Sequence, residues 1–378
     1  MIYLDNAATT RVDEQVVQYM NRIMTENFYN PSALYLPAVN VSVMLNEARK
    51  NIANSIGAET DEIYFVSSGT EADNIALLRS RIKKNSRVII SETEHSAVYN
   101  SALELKQLGY DVVFAPVDRY GVVDINSFQK LLNDNTSLIS IIHVNNETGS
   151  INNIDALSCT AKAFNKDILV HSDGVQAFGK MNINVRKLDI DMYSMSGHKI
   201  HAPKGVGALY IKKGVSVKPM LYGGGQEKNL RSSTENTSGI IGMSTAICSS
   251  TLNYTENENN MRKLLQYMAQ FITKNIGNAI INTNINKAMP NIISIALRGI
   301  RGEVLMHSLE KHNIIIGIGS ACSSKKLNNR IPNALGLSKE YRQGMIRISL
   351  DTDTSVEDII YTCDKILIEY NNLAQYMR

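Results

Sequence analysis

The chain has 378 residues with 39 Lys+Arg against 36 Asp+Glu, a net charge of +3, and no long block of like charge, which excludes the electrostatic footprint of a nucleic-acid binder. Its 44% hydrophobic and 20% charged residues describe an ordinary globular protein, and its length exceeds what one core usually supports, so two domains are expected. The opening Met1-Ile2-Tyr3-Leu4-Asp5-Asn6 lacks the basic and apolar regions of a secretory leader, and no apolar run suits a bilayer, so the sequence predicts a cytoplasmic protein without membrane contact.

From about residue 60 to 211, short β-rich runs alternate with helical patterns. The runs are 62–68 (EIYFVSS), 87–91 (RVIIS), 111–117 (DVVFAPV), 137–144 (SLISIIHV), 167–173 (DILVHSD), 191–196 (DMYSMS) and 205–211 (GVGALYI). Val, Ile and Phe without strict polar alternation suit strands buried on both faces, so a doubly wound α/β domain with a largely parallel sheet is expected, its ligands beyond the carboxyl ends of the strands. Past Thr251 a polar stretch, NYTENENN, precedes a helical pattern through Met261, Leu264, Leu265, Met268 and Phe271, and a second, smaller domain is expected to begin near there. A closing helix after DTDTS places Val356, Ile359, Ile360, Cys363, Ile366, Leu367 and Tyr370 on one face.

Three stretches carry candidate chemistry. In SSGTEADN (67–74), Ser68 and Glu71 fit a capping box; the free N–H groups of such a helix start, with Gly69 and the Thr70 hydroxyl, make a cradle for a small phosphate, though a well-capped turn has the same pattern. In DILVHSDGVQAFG, Asp173 ends a strand, with Gln176 one turn on; an acid there is commonly a helix N-cap, but beside a heterocyclic ring nitrogen it would keep that nitrogen protonated. In SMSGHKIHAPKG, Lys199 follows Ser196, Gly197 and His198, so two groups suited to a phosphate adjoin an amine suited to an aldehyde.

The four cysteines form no CxxC pair and suggest neither a zinc site nor a disulfide framework. Cys159, Cys248 and Cys363 fall in helical patterns and are expected as buried hydrophobes. Cys322 differs: IGIGSACSSKKLNN surrounds it with glycines, serines, Lys325 and Lys326, with Arg330 just beyond, the composition of an exposed, electropositive loop that favours thiolate.

The sequence resembles the fold-type-I pyridoxal-phosphate (PLP) enzymes, specifically the cysteine desulfurases of the class V aminotransferase-like group, in the branch with the longer catalytic loop. The resemblance runs from YLDNAATT through NPSA, TEHSAV, HVNNETG, SDGVQ, SGHK, GGGQE, RSSTEN, PN and GSACSS to IRISL. It implies a large, mostly parallel seven-stranded sheet domain at residues 13–252. A smaller α+β domain would comprise 1–12 and 253–378 and carry the catalytic loop at about 317–330.

It also implies roles. Lys199 matches the lysine that bonds the cofactor, Asp173 the partner of the pyridine nitrogen, His95 the imidazole stacked on the ring, and Gln176 the partner of its phenolic oxygen. Gly69, Thr70, Ser196 and His198 fall at the phosphate, with Thr234 reaching in from the neighbouring subunit of a homodimer. Asn146 and Arg347 fall where the substrate carboxylate is gripped, and Cys322 on the persulfide-forming cysteine. The implied reaction converts L-cysteine to L-alanine and passes sulfur to an iron–sulfur scaffold or a tRNA-thiolation protein; a selenocysteine lyase shares the same pattern. Tyr35, Ser233 and Asp351 depart from the family's usual residues.

Overall fold

Val88, Ile89 and Ile90 are all fully buried, yet they face opposite layers. Val88 and Ile90 pack with Ile75, Ala76, Val98 and Ala102, whereas Ile89 joins Ile52, Leu157, Ala161 and Ile247. A strand covered on both sides alternates between two apolar environments, so no polar residue interrupts the run.

The computed structural model describes residues 1–318 and 329–375; Cys322, Lys325 and Lys326 lie outside the described residues. The strands are β1 (Ile2–Leu4), β2 (Ile63–Val66), β3 (Arg87–Ser91), β4 (Asp111–Ala115), β5 (Thr136–Ser140), β6 (Leu169–Asp173), β7 (Met192–Ser196), β8 (Gly207–Ile211), β9 (Ala279–Ile281), β10 (Ile292–Leu297), β11 (Ile314–Ile316) and β12 (Met345–Ser349). The helices are α1 (Glu14–Thr25), α2 (Leu36–Ser55), α3 (Gly69–Leu78), α4 (Ser96–Gln107), α5 (Ile125–Leu131), α6 (Ile154–Phe164), α7 (Thr237–Asn275), α8 (Gly302–Glu310), α9 (Arg330–Ala334), α10 (Lys339–Arg342) and α11 (Val356–Ala374).

The large sheet has seven strands in the order β2-β8-β7-β6-β5-β3-β4. Only β8 runs against its neighbours, antiparallel to both β7 and β2. Its connection from β7, residues 197–206, is shorter than the roughly dozen residues a parallel crossover takes, so the chain returns alongside β7. The carboxyl ends of β2, β3, β5, β6 and β7 therefore open on one edge of the sheet.

A three-stranded antiparallel sheet, β12-β10-β9, and a parallel pair, β1-β11, form the second layer system. The N-terminal segment joins the two parts: Asp5 bridges to Ser349, while Thr10 N donates to the carbonyl of His198.

The boundary expected between residues 252 and 253 falls inside α7, which is continuous over 39 residues. The polar NYTENENN stretch lies within this helix rather than before it. Asn253, Glu256 and residues 258–260 are exposed while Tyr254 and Met261 are buried, so the polarity marks a solvent-facing turn of helix. Two cysteines also depart from expectation. Cys159 and Cys248 are exposed, since their helices turn those positions outward, whereas Cys363 is buried and its thiol is pushed up to about 12 by burial.

Candidate active site

Lys199 ends a 3-10 turn, Gly197–Lys199, that follows the wholly buried β7. A Cβ on Gly197 would lie 2.9 Å from Val206 Cγ1 and 3.3 Å from the carbonyl oxygen of Pro203, so the turn closes only on glycine. It directs the Lys199 amine to the N-terminal segment, where Nζ donates to the carbonyl oxygens of Ala7 (2.5 Å) and Ala8 (2.6 Å). Burial, then the positive charges of Arg347 and Lys180, push this amine down to about 7, against the opposing pull of Asp5 and Asp173.

Asp173, at the end of β6, accepts from Val175 N at 2.9 Å. Burial raises its pKa, opposed by His95 and Lys199. A second buried acid, Asp73 of α3, stands close by: polar atoms of Asp73, His95 and Asp173 all lie within 4.8 Å of one another. Asp73 has a buried oxygen without a partner, and burial together with Asp173 holds its pKa well above the carboxylate range. The sequence offered one unused signal for it, an acid among Ala72, Ile75, Ala76 and Leu77 on the inward face of a helix.

His95 caps α4, its Nδ1 accepting from Ala97 N at 3.2 Å, which leaves Nε2 as the proton-bearing nitrogen of the neutral ring. Burial lowers its pKa and keeps it neutral. Arg330 anchors beside it, donating to the carbonyls of Glu92 and Glu94, so this residue does not belong to an exposed basic face.

The cradle at the start of α3 has the expected N-cap, Ser68, whose Oγ accepts from Glu71 N. The reciprocal half shifts by one residue: the Glu71 carboxylate accepts from Ser67 N and Oγ and pairs with Arg231. A Cβ on Gly69 would sit 2.4 Å from Val175 Cγ2, and Ser196 Oγ is buried without a partner. His198 is held neutral, its pKa pushed to about 4 by burial and then Lys199, Lys204 and Lys180; its Nδ1 lies 3.2 Å from Thr9 Oγ1. Free helix N–H groups, an unpartnered hydroxyl and a turn open only to glycine suit a phosphate.

Arg347 is 2% exposed. Its Nη1 donates to the carbonyl of Asn146 (2.8 Å) and its Nη2 to Asp5 Oδ1 (2.6 Å), while Nε is buried without a partner, as is Asn146 Oδ1. Asp5 is a participant that sequence reasoning missed, although it lies in the quoted YLDNAATT. Gln176 Nε2 donates to the carbonyl of Ala7 and its Oε1 accepts from Lys180 Nζ.

One cavity is lined by Gly69, Thr70, Asp73, His95, Asn146, Asp173, Gln176, Ser196, His198, Lys199 and Arg347. Thr234 lies outside it, exposed, in the segment between β8 and α7. Cys322 is outside the described residues, but both flanks of its segment are fixed at the cavity. Gly317 exchanges backbone hydrogen bonds with Arg347, and Arg330 is tied to residues 92 and 94.

The residues suit PLP in particular: a buried acid for a ring nitrogen, an amine whose pKa is lowered to about 7 for an aldehyde, and a phosphate cradle at one helix start. The sequence profile of the aminotransferase class-V family matches residues 2–361. The chain is 38% identical to a cysteine desulfurase IscS of Dictyoglomus turgidum, over 99% of this chain and 96% of that protein. Among solved structures, a NifS-like protein superposes with a TM-score of 0.92 at 34% identity, covering 98% of this chain and 100% of its own. SspA in complex with cysteine superposes at 0.79 with 30% identity, covering 93% and 99%.

Proposed function

The chain belongs to the aminotransferase class-V family, among its PLP-dependent cysteine desulfurases, and on that premise we propose that it moves the sulfur of L-cysteine to Cys322 with Lys199 as the working amine. The observation that carries this reading is the convergence of Lys199, Asp173 and Arg347 on one buried cavity. In net terms L-cysteine and the Cys322 thiol give L-alanine and a Cys322 persulfide; one C–S bond is exchanged for one S–S bond, and no external oxidant is consumed.

Asp173 would hold the cofactor's ring nitrogen and His95 its ring face, with Gly69, Thr70, Ser196 and His198 at the phosphate and Gln176 at the phenolic oxygen. When bound, PLP supplies an aldehyde that captures amines and a protonated ring that draws electrons from the substrate's α-carbon. Lys199, whose amine loses its proton at about 7, takes the α-proton and later returns it. Arg347 holds the substrate carboxylate through its unpartnered Nε and by sharing the N–H now given to Asp5, and the unpartnered Asn146 Oδ1 stands beside it. His95, with its proton on Nε2, relays protons at the ring face. On either side of the stretch that contains Cys322, Gly317 is hydrogen-bonded to Arg347 of the cavity and Arg330 to the backbone next to His95.

A homodimer completes the site, with Thr234 of each chain serving its neighbour. Phe28, Leu34, Leu36 and Tyr222 are exposed apolar side chains of the kind an interface covers, Leu34 at 95%. The persulfide then passes to an iron–sulfur scaffold or a tRNA-thiolation protein in the cytoplasm; no helix among the described residues is long and apolar enough to cross a membrane.

Purified protein supplied with PLP, L-cysteine and a thiol reductant is expected to release sulfide and alanine in equal amounts. Cys322→Ala is expected to keep the cofactor's yellow absorbance and lose sulfide release. Full release by that variant would overturn the persulfide step.

A further inference from the structure

Asp351, just past the strand that carries Arg347, has an ionisable partner in the fold. Its Oδ1 lies 3.3 Å from His201 Nε2, and the other ring nitrogen of His201, Nδ1, lies 3.1 Å from the carbonyl oxygen of Arg11. Carbonyl and carboxylate oxygens only accept, and a neutral imidazole has a single N–H, so the ring satisfies both contacts only when both nitrogens carry protons. The backbone of His201 is equally committed. It sits at φ +63°, its N donates to Thr10 Oγ1 (2.8 Å), and its carbonyl accepts from Asp13 N (3.0 Å). Asp351 is fixed in turn, its Oδ1 accepting from Thr352 N and its own N donating to Thr354 Oγ1.

The placement of this pair gives it a consequence. His201 lies two residues past Lys199, and Asp351 four residues past Arg347. We propose that His201 and Asp351 are positioning residues: their ion pair ties the turn that carries Lys199 to the end of the strand that carries Arg347, and so sets the amine in register with the carboxylate grip. The inference rests on the desulfurase reading and extends it to two residues that do not line the cavity holding Lys199, Asp173 and Arg347.

The groups around the ring are Asp351 from the segment after β12, Lys180 from the β6–β7 connection, and Lys199 and Tyr254, which line the same second cavity as the pair. Burial alone would lower the pKa of His201, but the hydrogen bond and charge of Asp351, with the Arg11 carbonyl, raise it above its ordinary 6.5. Burial would raise Asp351, but His201, the Thr352 N–H and Lys180 hold it below its ordinary 3.8. Stability from the histidine is fully present below 6.5 and is lost as pH rises through the raised value. Stability from the aspartate is present above 3.8 and is lost as pH falls through the lowered one.

The test measures sulfide release from L-cysteine by holoenzyme for the unaltered protein, His201→Gln, Asp351→Asn, the double variant and Asp351→Glu, at about pH 6 and about pH 9. At the lower pH each single variant is expected to raise KM about fivefold, the double variant no more than either single, and Asp351→Glu to restore most of the loss. At the higher pH the KM values of the unaltered and altered proteins converge as His201 loses its proton. Without substrate, the melting-temperature gap between unaltered and Asp351→Asn protein narrows over the same interval. Additive single effects on KM, or equal effects at both pH values, overturn the proposal, as does a shift in melting temperature with KM unmoved. If Asp351→Asn does not fold, His201→Gln supplies the same comparison. If the unaltered protein releases no sulfide from cysteine, the desulfurase reading fails instead, and the melting comparison still decides whether the pair holds.

Discussion

Lys199 has an amine that an ordinary surface would leave charged, since lysine titrates near 10.5, and its environment pushes it to about 7. Burial dominates, and Arg347 and Lys180 act in the same direction, so the charged form is what the site disfavours. Below about 7 the amine is protonated and cannot attack an aldehyde; above it the amine is ready. In cofactor-free protein the rate of capturing added PLP, followed by absorbance, is therefore expected to rise about tenfold per pH unit up to about 7 and then level. A rate still climbing at pH 9 would mean that the amine is not depressed. The neighbouring acids obey the same physics with opposite sign. Asp73 and Asp173 are buried together, burial raises both, Asp173 raises Asp73 further, and His171, which approaches Asp73 at 3.7 Å, is kept neutral by burial that pushes its pKa down to about 3. The local sequence made Lys199 and Asp173 visible as candidates; Asp73 stayed hidden because its importance depends on which acid it faces.

Two turns that follow strands shape the site, and each is closed by a glycine with no room for a methyl group. A Cβ on Gly69, at the start of α3, would meet Val175 Cγ2 at 2.4 Å, and the β-branched valine has few rotamers into which to retreat. A Cβ on Gly174, directly after β6, would lie 2.0 Å from the buried ring of Tyr193, whose hydroxyl is hydrogen-bonded to His143 Nδ1 at 2.7 Å. Gly174→Ala is expected to cost about 1–3 kcal/mol of stability by overpacking, seen as a lower denaturation midpoint. Gly69→Ala is expected to show its main loss in PLP affinity, measured by absorbance titration. Equal PLP affinity in the Gly69 variant would mean that the helix start is not the phosphate site. At this scale the strand runs were readable from β-branched composition, whereas the reversal of β8 followed from a connection length.

The whole molecule brings the first and last parts of the chain onto one cavity. The N-terminal segment supplies the carbonyls that hold Lys199 and the acid that holds Arg347, and β12 supplies Arg347 itself. Thr234 is the exception, exposed and apart from its own chain's cavity. If it serves a neighbouring chain, Lys199→Ala and Thr234→Ala proteins should each be weak, and subunit exchange between them should restore activity, because one site per mixed dimer then has both residues intact. Activity no higher than the average of the two variants would exclude a shared site.

The family, the seven-stranded sheet and the residues with the right functional groups were legible in the amino-acid order, because β-branched runs, glycine turns and ordered motifs are local properties. It did not determine which faces of α6 and α7 leave Cys159 and Cys248 exposed, nor that a polar stretch continues a long helix. It also did not reveal that Asp5 pairs with Arg347 or that Asp351 pairs with His201. Those outcomes depend on contacts between residues far apart in the chain, and only packing sets the distances and burial that make such charges interact.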